Sequence, residues 1–206
     1  MAIKSNSEFY NFSLYIFDLD NTICKEEDYL FQAYKAIADK FTKILPGQSK
    51  NDLFRILKDL FLKEGREKLF DKFLTTVGLD GSYLPDCLKI LRSFVPEKPI
   101  EIDRQVKKVL TSLKCQKKSL FILTNGNIDQ QKNKIKHILW DGLDKQTGFV
   151  FANEIEPKPS PAGVFHILKV TGIQAEKTIF IGDSEVDQLC AQNSGIRYLD
   201  VNCLPV

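Results

Sequence analysis

Apolar residues follow two rhythms along this chain. Short unbroken runs occur at residues 14–17 (LYIF), 119–123 (SLFIL), 148–152 (GFVFA), 178–182 (TIFIG) and 197–200 (RYLD). Each is four or five residues long and predicts a strand. Between the later runs, apolar residues recur every third or fourth position, predicting helices at 103–113, 128–140, 160–172 and 185–193. The third of these has Ser160 as N-cap, Pro161 in the first turn and Gly172 as its stop. Strands that are apolar throughout, alternating with amphipathic helices, predict a Rossmann-like α/β fold: a parallel sheet with helices on both faces.

One region breaks the alternation. From about residue 26 to 94 only the helical rhythm is present, as in Leu30, Tyr34, Ile37, Phe41 and Leu45. A second stripe, Leu53, Ile56, Leu57, Leu60 and Phe61, is opened by Ser49 or Asn51 and closed by Gly65. Residues 68–77 and 82–94 carry further helical patterns, and the proline-marked linker VPEKPIE ends the region. The expected organisation is therefore a Rossmann-like core of residues 1–24 and 96–206, with a small all-α domain, residues 25–95, inserted after the first strand. Most aromatics of the insert, such as Phe31, Tyr34, Phe54 and Phe61, are expected in its core, with one or two facing a substrate.

Composition narrows the function classes. With 206 residues, 43% of them hydrophobic, the chain can bury a proper core. Its 29 basic and 27 acidic residues nearly balance, which gives no electrostatic footprint for nucleic acid and no polybasic membrane anchor. No apolar run is long enough to span a bilayer, and the stretch MAIKSNSEFYNFS has no apolar leader core. Five scattered cysteines without CxxC spacing read as reduced thiols, so a cytoplasmic location is expected.

The candidate chemistry lies where the strands end. The first run leads into Asp18, Leu19, Asp20, Asn21 and Thr22, the second into Thr124, Asn125 and Gly126, and the fourth into Asp183, Ser184 and Asp187. In an open parallel sheet the carboxyl ends of the strands share one edge, where ligands bind. Taken singly, each residue has a structural role to hand. Asp18 or Asp20 could cap a turn, Thr124 could cap the following helix, Ser184 and Asp187 match a capping box, and Lys158 could be a solvated loop lysine. Their joint occurrence at one edge favours a site. Two carboxylates two residues apart at the end of a buried strand call for compensation, and a divalent cation is the natural candidate.

These residues resemble the motifs of the haloacid dehalogenase superfamily. DLDNT is similar to its first motif, Thr124 in ILTNG to its second, Lys158 to its third, and GDSEVD to its fourth. The likeness spans nearly the whole chain, and the helical insert looks like a type-1 cap. TNGNIDQQKNKI followed by the lysine-proline loop is similar to the branch that holds phosphatases of sugar phosphates and nucleoside monophosphates. The resemblance implies a hydrolase that cleaves a small phosphorylated metabolite through an aspartyl-phosphate. In it Asp18 is the nucleophile and Asp20 the acid and base. Thr124, the Asn125 amide and Lys158 hold the phosphoryl group. Mg²⁺ is bound by Asp18 and Asp183, by the backbone carbonyl of Asp20, and by Asp187 through water. Phosphoryl transfer to a second hydroxyl, as in a phosphomutase, and a non-catalytic regulatory role on the same fold stay open. Asp20 speaks against halide displacement, which needs no acid there. His137 and His166 lie within helical patterns and are assigned no chemistry, and residues 21–29 are expected to form a hinge beside the site.

Overall fold

The computed structural model describes residues 6–205; of the N-terminal stretch read for a leader, residues 1–5 lie outside the described residues. The described residues fall into two compact units. The first comprises the chain up to Glu26, Ile100–Gln131, and the chain from Ile138 onward; the second comprises Glu27–Pro99 with Lys132–His137. The 25–95 boundaries expected for the insert omit this last segment. No helix among the described residues is long and apolar enough to cross a membrane.

The described residues begin with a short helix α1 (Asn6–Phe9), which no pattern in the sequence predicts, and enter strand β1 (Leu14–Phe17). Helices α2 (Glu26–Thr42), α3 (Lys50–Glu64), α4 (Leu69–Thr76) and α5 (Leu84–Ser93) follow. Then come α6 (Arg104–Cys115), β2 (Ser119–Thr124), α7 (Ile128–Lys136) and β3 (Thr147–Phe151). The chain closes with α8 (Ala162–Thr171), β4 (Thr178–Gly182), α9 (Glu185–Asn193) and β5 (Arg197–Asp200).

The five strands form one sheet in the order β3-β2-β1-β4-β5, and each neighbouring pair is parallel. β1 is central, which is why all four of its residues are buried and apolar. Phe17 is level with Ile122 of β2 and Ile181 of β4, so the three strands end side by side. Helix-facing residues of the sheet, including Leu14, Ile16, Leu123 and Phe180, pack with Val164 and Ile167 of α8 and Cys190 and Ala191 of α9. The predicted α/β architecture is the observed one.

Three local expectations are corrected. Helix α7 stops at Lys136, not at residue 140, and the chain turns through Asp141 and Gly142, both at positive φ. Pro161, not Ser160, occupies the cap position of α8; the Ser160 hydroxyl still accepts from the Ala162 amide at 3.2 Å. β3 is displaced by one residue, because its pairing sets Phe121 opposite Gly148 and Thr124 opposite Phe151.

In the second unit, Ser49 caps α3, accepting from the Asp52 amide. Tyr29 is fully buried and donates its hydroxyl to the Leu91 carbonyl at 2.7 Å, tying the start of α2 to the end of α5. Asn133 of α7 donates to the Tyr29 hydroxyl and the Phe94 carbonyl, which accounts for the grouping of residues 132–137 with the helices. Tyr34 is buried, whereas Phe31, Phe54 and Phe61 are only half-buried and meet one another edge to face. The ammonium groups of Lys58 and Lys35 lie over the Phe31 and Phe54 rings at 5.3 and 5.2 Å, so part of this aromatic surface is covered by cations.

One packing contact in the sheet is testable. A Cβ on Gly148 would stand 2.3 Å from the Phe121 ring directly opposite. Gly148→Ala is therefore expected to cost about 1–3 kcal/mol of stability, read as a lower urea midpoint with an unchanged slope.

Candidate active site

The carboxyl edge of the sheet collects polar residues because strands β1, β2 and β4 run out together. Asp18 continues β1 by one residue, its amide donating to the Ile181 carbonyl at 2.9 Å, and is 7% exposed. The chain then reverses. Asn21 adopts φ 58°, a left-handed conformation that Asn tolerates better than most residues. Its amide donates to the Cys24 carbonyl at 2.7 Å, and its side chain accepts from the Glu26 amide at 3.1 Å. This tight turn sets where Asp20 stands.

Lys158 comes from the loop after β3 and is the charge centre of the edge. Its ammonium donates to Asp18 Oδ1 and, at 2.7 Å, to Asp187 Oδ1. The loop reaches this position because Asn125, at the end of β2, grips the backbone of Lys158 on both sides. The Asn125 amide nitrogen donates to the Lys158 carbonyl and its oxygen accepts from the Lys158 amide, each at 2.9 Å.

Asp187 is held from the other side. Ser184 and Asp187 form the predicted capping box of α9, with the Ser184 hydroxyl donating to Asp187 Oδ2 at 2.6 Å. Capping does not exclude a place in the site, since the same carboxylate also receives Lys158. Gly182 makes room for it: a Cβ there would lie 2.6 Å from Asp187 Cβ and Oδ2. Asp183 is the exposed member of the group, and Thr22, at the end of the first motif, donates to it at 3.4 Å.

One carboxylate oxygen from each of Asp18, Asp183 and Asp187 lies within 4.8 Å of the other two. Burial raises the Asp18 carboxyl above its usual range; Lys158 opposes this, and Asp187 and Asp20 add to it. Asp183 is raised for the same reasons, burial first and then the charge of Asp187. For Lys158, burial works against the charged form, but Asp18 and Asp187 outweigh it and the ammonium is held above its ordinary value. Carboxylates that resist ionisation side by side are the environment that a cation relieves. The donors are all oxygen, which suits a hard divalent ion such as Mg²⁺ and not the nitrogen or sulfur preference of zinc.

Asp20 does not join that cluster. It is half-buried, and its Oδ2 accepts from Gln131 Nε2 at 2.9 Å. The same nitrogen lies 2.7 Å from the Thr124 hydroxyl, which is 2% exposed. All seven residues singled out in the sequence thus lie at the same edge of the first unit. Three contributions go beyond the roles expected from the sequence: Gln131, the hydroxyl of Thr22 within the first motif, and the side chain of Asn125. A signal for Gln131 was present. Residues 128–136 (IDQQKNKIK) contain only two apolar residues, too few for an inward helical face, so polar groups must turn inward.

Comparison with known proteins adds family and fold. The signature of the haloacid dehalogenase-like hydrolase family matches residues 15–201. A phosphoglycolate phosphatase of Pseudomonas fluorescens is 40% identical over 42 residues, a match covering 20% of this chain and 15% of that protein. Among solved structures, CbbY from Rhodobacter sphaeroides, crystallised as a mutant with xylulose-(1,5)bisphosphate, is similar at a TM-score of 0.61 and 13% identity, covering 92% of this chain and 85% of that one. A subfamily IA hydrolase from Geobacter sulfurreducens is similar at 0.55 and 19% identity, covering 91% and 86%. At these identities the structural likeness speaks for the fold.

The packing around Asp187 makes a further prediction. Gly182→Ala must displace a carboxylate locked by Ser184 and Lys158, and is expected to cost about 1–3 kcal/mol. Ser184→Ala removes the cap and the hydroxyl bond to Asp187 but leaves the Lys158 contact and introduces no clash, and is expected to cost about 1 kcal/mol, less than Gly182→Ala. Chemical denaturation of both variants in chelator checks the order.

Proposed function

The chain belongs to the haloacid dehalogenase-like hydrolase family, and we propose that it is a Mg²⁺-dependent phosphatase acting on a small phosphorylated metabolite. The observation that carries the reading is Asp18. It is a buried carboxylate at a strand end, in contact with one ammonium and clustered with two further carboxylates. As an isolated structural feature this arrangement is costly; as a nucleophile with its counter-charges in place it is useful.

Asp18 and Asp183 would hold Mg²⁺ directly, with the Asp20 carbonyl and a water on Asp187 completing the protein side; when bound, the ion offsets the negative charge of the phosphoryl oxygens. The remaining chemistry falls to the chain. An Asp18 oxygen attacks phosphorus as the bond to the ester oxygen breaks, giving an aspartyl-phosphate. Asp20 gives its proton to the departing oxygen. A water then attacks the phosphoryl group, loses its proton to Asp20, and inorganic phosphate leaves with Asp18 restored. Lys158 keeps Asp18 oriented and offsets charge as the bond forms. Thr124 and the Asn125 amide would bind phosphoryl oxygens. The helical unit, Glu27–Pro99, would act as the cap that sets substrate choice.

Small phosphate esters are the fitting substrate class, in line with the phosphoglycolate phosphatases that share a 42-residue segment with this chain. Phosphate release should be measured from phosphoglycolate, sugar phosphates and nucleoside monophosphates, with Mg²⁺ and with EDTA. Release from a few of these, abolished by EDTA and restored by Mg²⁺, is the expected result. Asp18→Asn should abolish it, and Asp20→Asn should lower kcat by about a hundredfold or more. Release that survives Asp18→Asn would overturn the assignment of the nucleophile.

A further inference from the structure

We infer that Gln131 is a positioning residue for Asp20, holding the acid on the leaving-group side of the reaction. The inference rests on the phosphatase reading above and adds to it a residue outside the four motifs.

Gln131 is 3% exposed. Its Nε2 lies 2.9 Å from Asp20 Oδ2, 2.7 Å from Thr124 Oγ1 and 3.1 Å from the Asn125 carbonyl. An amide nitrogen has two hydrogens, so three acceptors share two donors. Thr124 and Asp20 lie nearer than the Asn125 carbonyl and take the two donors. The amide is thus aimed at Asp20, while the Lys158 ammonium is aimed at Asp18 and Asp187.

The backbone fixes this aim. Gln131 lies in the first turn of α7, its amide donating to the Asn127 carbonyl at 3.0 Å. The loop before it turns at Gly126, φ 118°, where even an added Cβ would come to 3.7 Å from the Gln131 side chain. The side chain is thereby laid across the end of β2 toward the loop after β1. Because it also meets the Thr124 hydroxyl, one amide fixes the spacing between the proposed acid and the proposed phosphoryl-binding hydroxyl.

A purely structural role is the competing account: a buried amide that satisfies its neighbours at a helix start. The two differ in what they do to different leaving groups. Proton donation matters most when the departing oxygen is a poor leaving group. A misplaced acid should therefore slow alkyl phosphates far more than an aryl phosphate whose phenolate leaves unaided. Loosened packing should slow both alike.

The test is kcat/KM for an alkyl ester, glycerol phosphate or the best ester of the panel, and for para-nitrophenyl phosphate, in Mg²⁺-loaded full-length protein. Gln131→Leu, close in volume and without a donor, is expected to lose about tenfold or more on the alkyl ester beyond its loss on the aryl ester. In an Asp20→Asn background the same substitution should add little of that leaving-group-dependent loss, because the group it positions is already disabled. If Gln131→Leu does not fold, Gln131→Glu, nearly isosteric and unable when ionised to donate to Asp20, carries the same comparison. Equal losses on the two esters, or full additivity with Asp20→Asn, would overturn the inference while leaving the phosphatase reading standing. No Asp18-dependent release by the unaltered protein from any ester would overturn that reading itself.

Discussion

The contact of one buried ammonium with two buried carboxylates organises the carboxyl edge of this sheet. Lys158 meets Asp18 from the central strand and Asp187 from the helix after β4. Like charges brought together in a poorly solvated place oppose their own ionisation, and burial is the leading cause of the upward shifts at Asp18 and Asp183. Everything nearby can be understood as holding the compensating charge in place. Asn125 clamps the backbone that carries Lys158, Ser184 fixes Asp187 by capping, and Gly182 leaves the space Asp187 fills. A structure with hydrophobic residues at these positions would be simpler to stabilise. The arrangement makes sense as one kept for chemistry.

A second polar system, built around an amide, lies beside it. Gln131 addresses Asp20 through an amide, where Lys158 addresses Asp18 through an ammonium. The difference suits the proposed roles. A nucleophile must stay ionised, which a permanent cation favours. A group that gives up and regains a proton in each turnover needs orientation without so strong a bias toward its charged form, and a neutral donor supplies that. Two carboxylates separated by one residue thus receive donors of different kinds from Lys158 and Gln131.

The fold was legible because its signals are local and redundant. β1, β4 and β5 and helix α9 were placed to the residue, since apolar runs and a capping box mark them directly. The misjudged boundaries have causes of another kind. α7 ends early because the chain leaves the helix for a bridge between Ile138 and Ile100, a distant pairing that no local pattern marks, and Pro161 takes a cap position that its neighbour's chemistry would have favoured for Ser160. Asp18, Asp20, Thr124, Asn125 and Asp183 were legible as residues at or just past strand ends, which a parallel sheet brings together. Their mutual geometry was not, because it is set by loops. That Asn125 grips Lys158, 33 positions later, depends on the path of the loop after β3, and no spacing in the sequence encodes it.

The charge balance of the edge leads to the last step. Asp18 and Asp187 share the Lys158 ammonium, Asp183 lies close to both, and the neighbouring Thr124, Asn125 and Gln131 offer neutral dipoles. A phosphate ester brought to this edge adds negative charge to a surface that already has an excess of it. Backbone amides and one ammonium, shared between two carboxylates, leave little positive charge for the incoming group. A divalent ion among Asp18, Asp183 and Asp187 would turn the same excess from an obstacle into a binding site. On this argument the need for a cation does not rest on family likeness alone. It would follow from placing the proposed nucleophilic carboxylate and an anionic substrate at the same strand end, where a charge of opposite sign would have to stand between them.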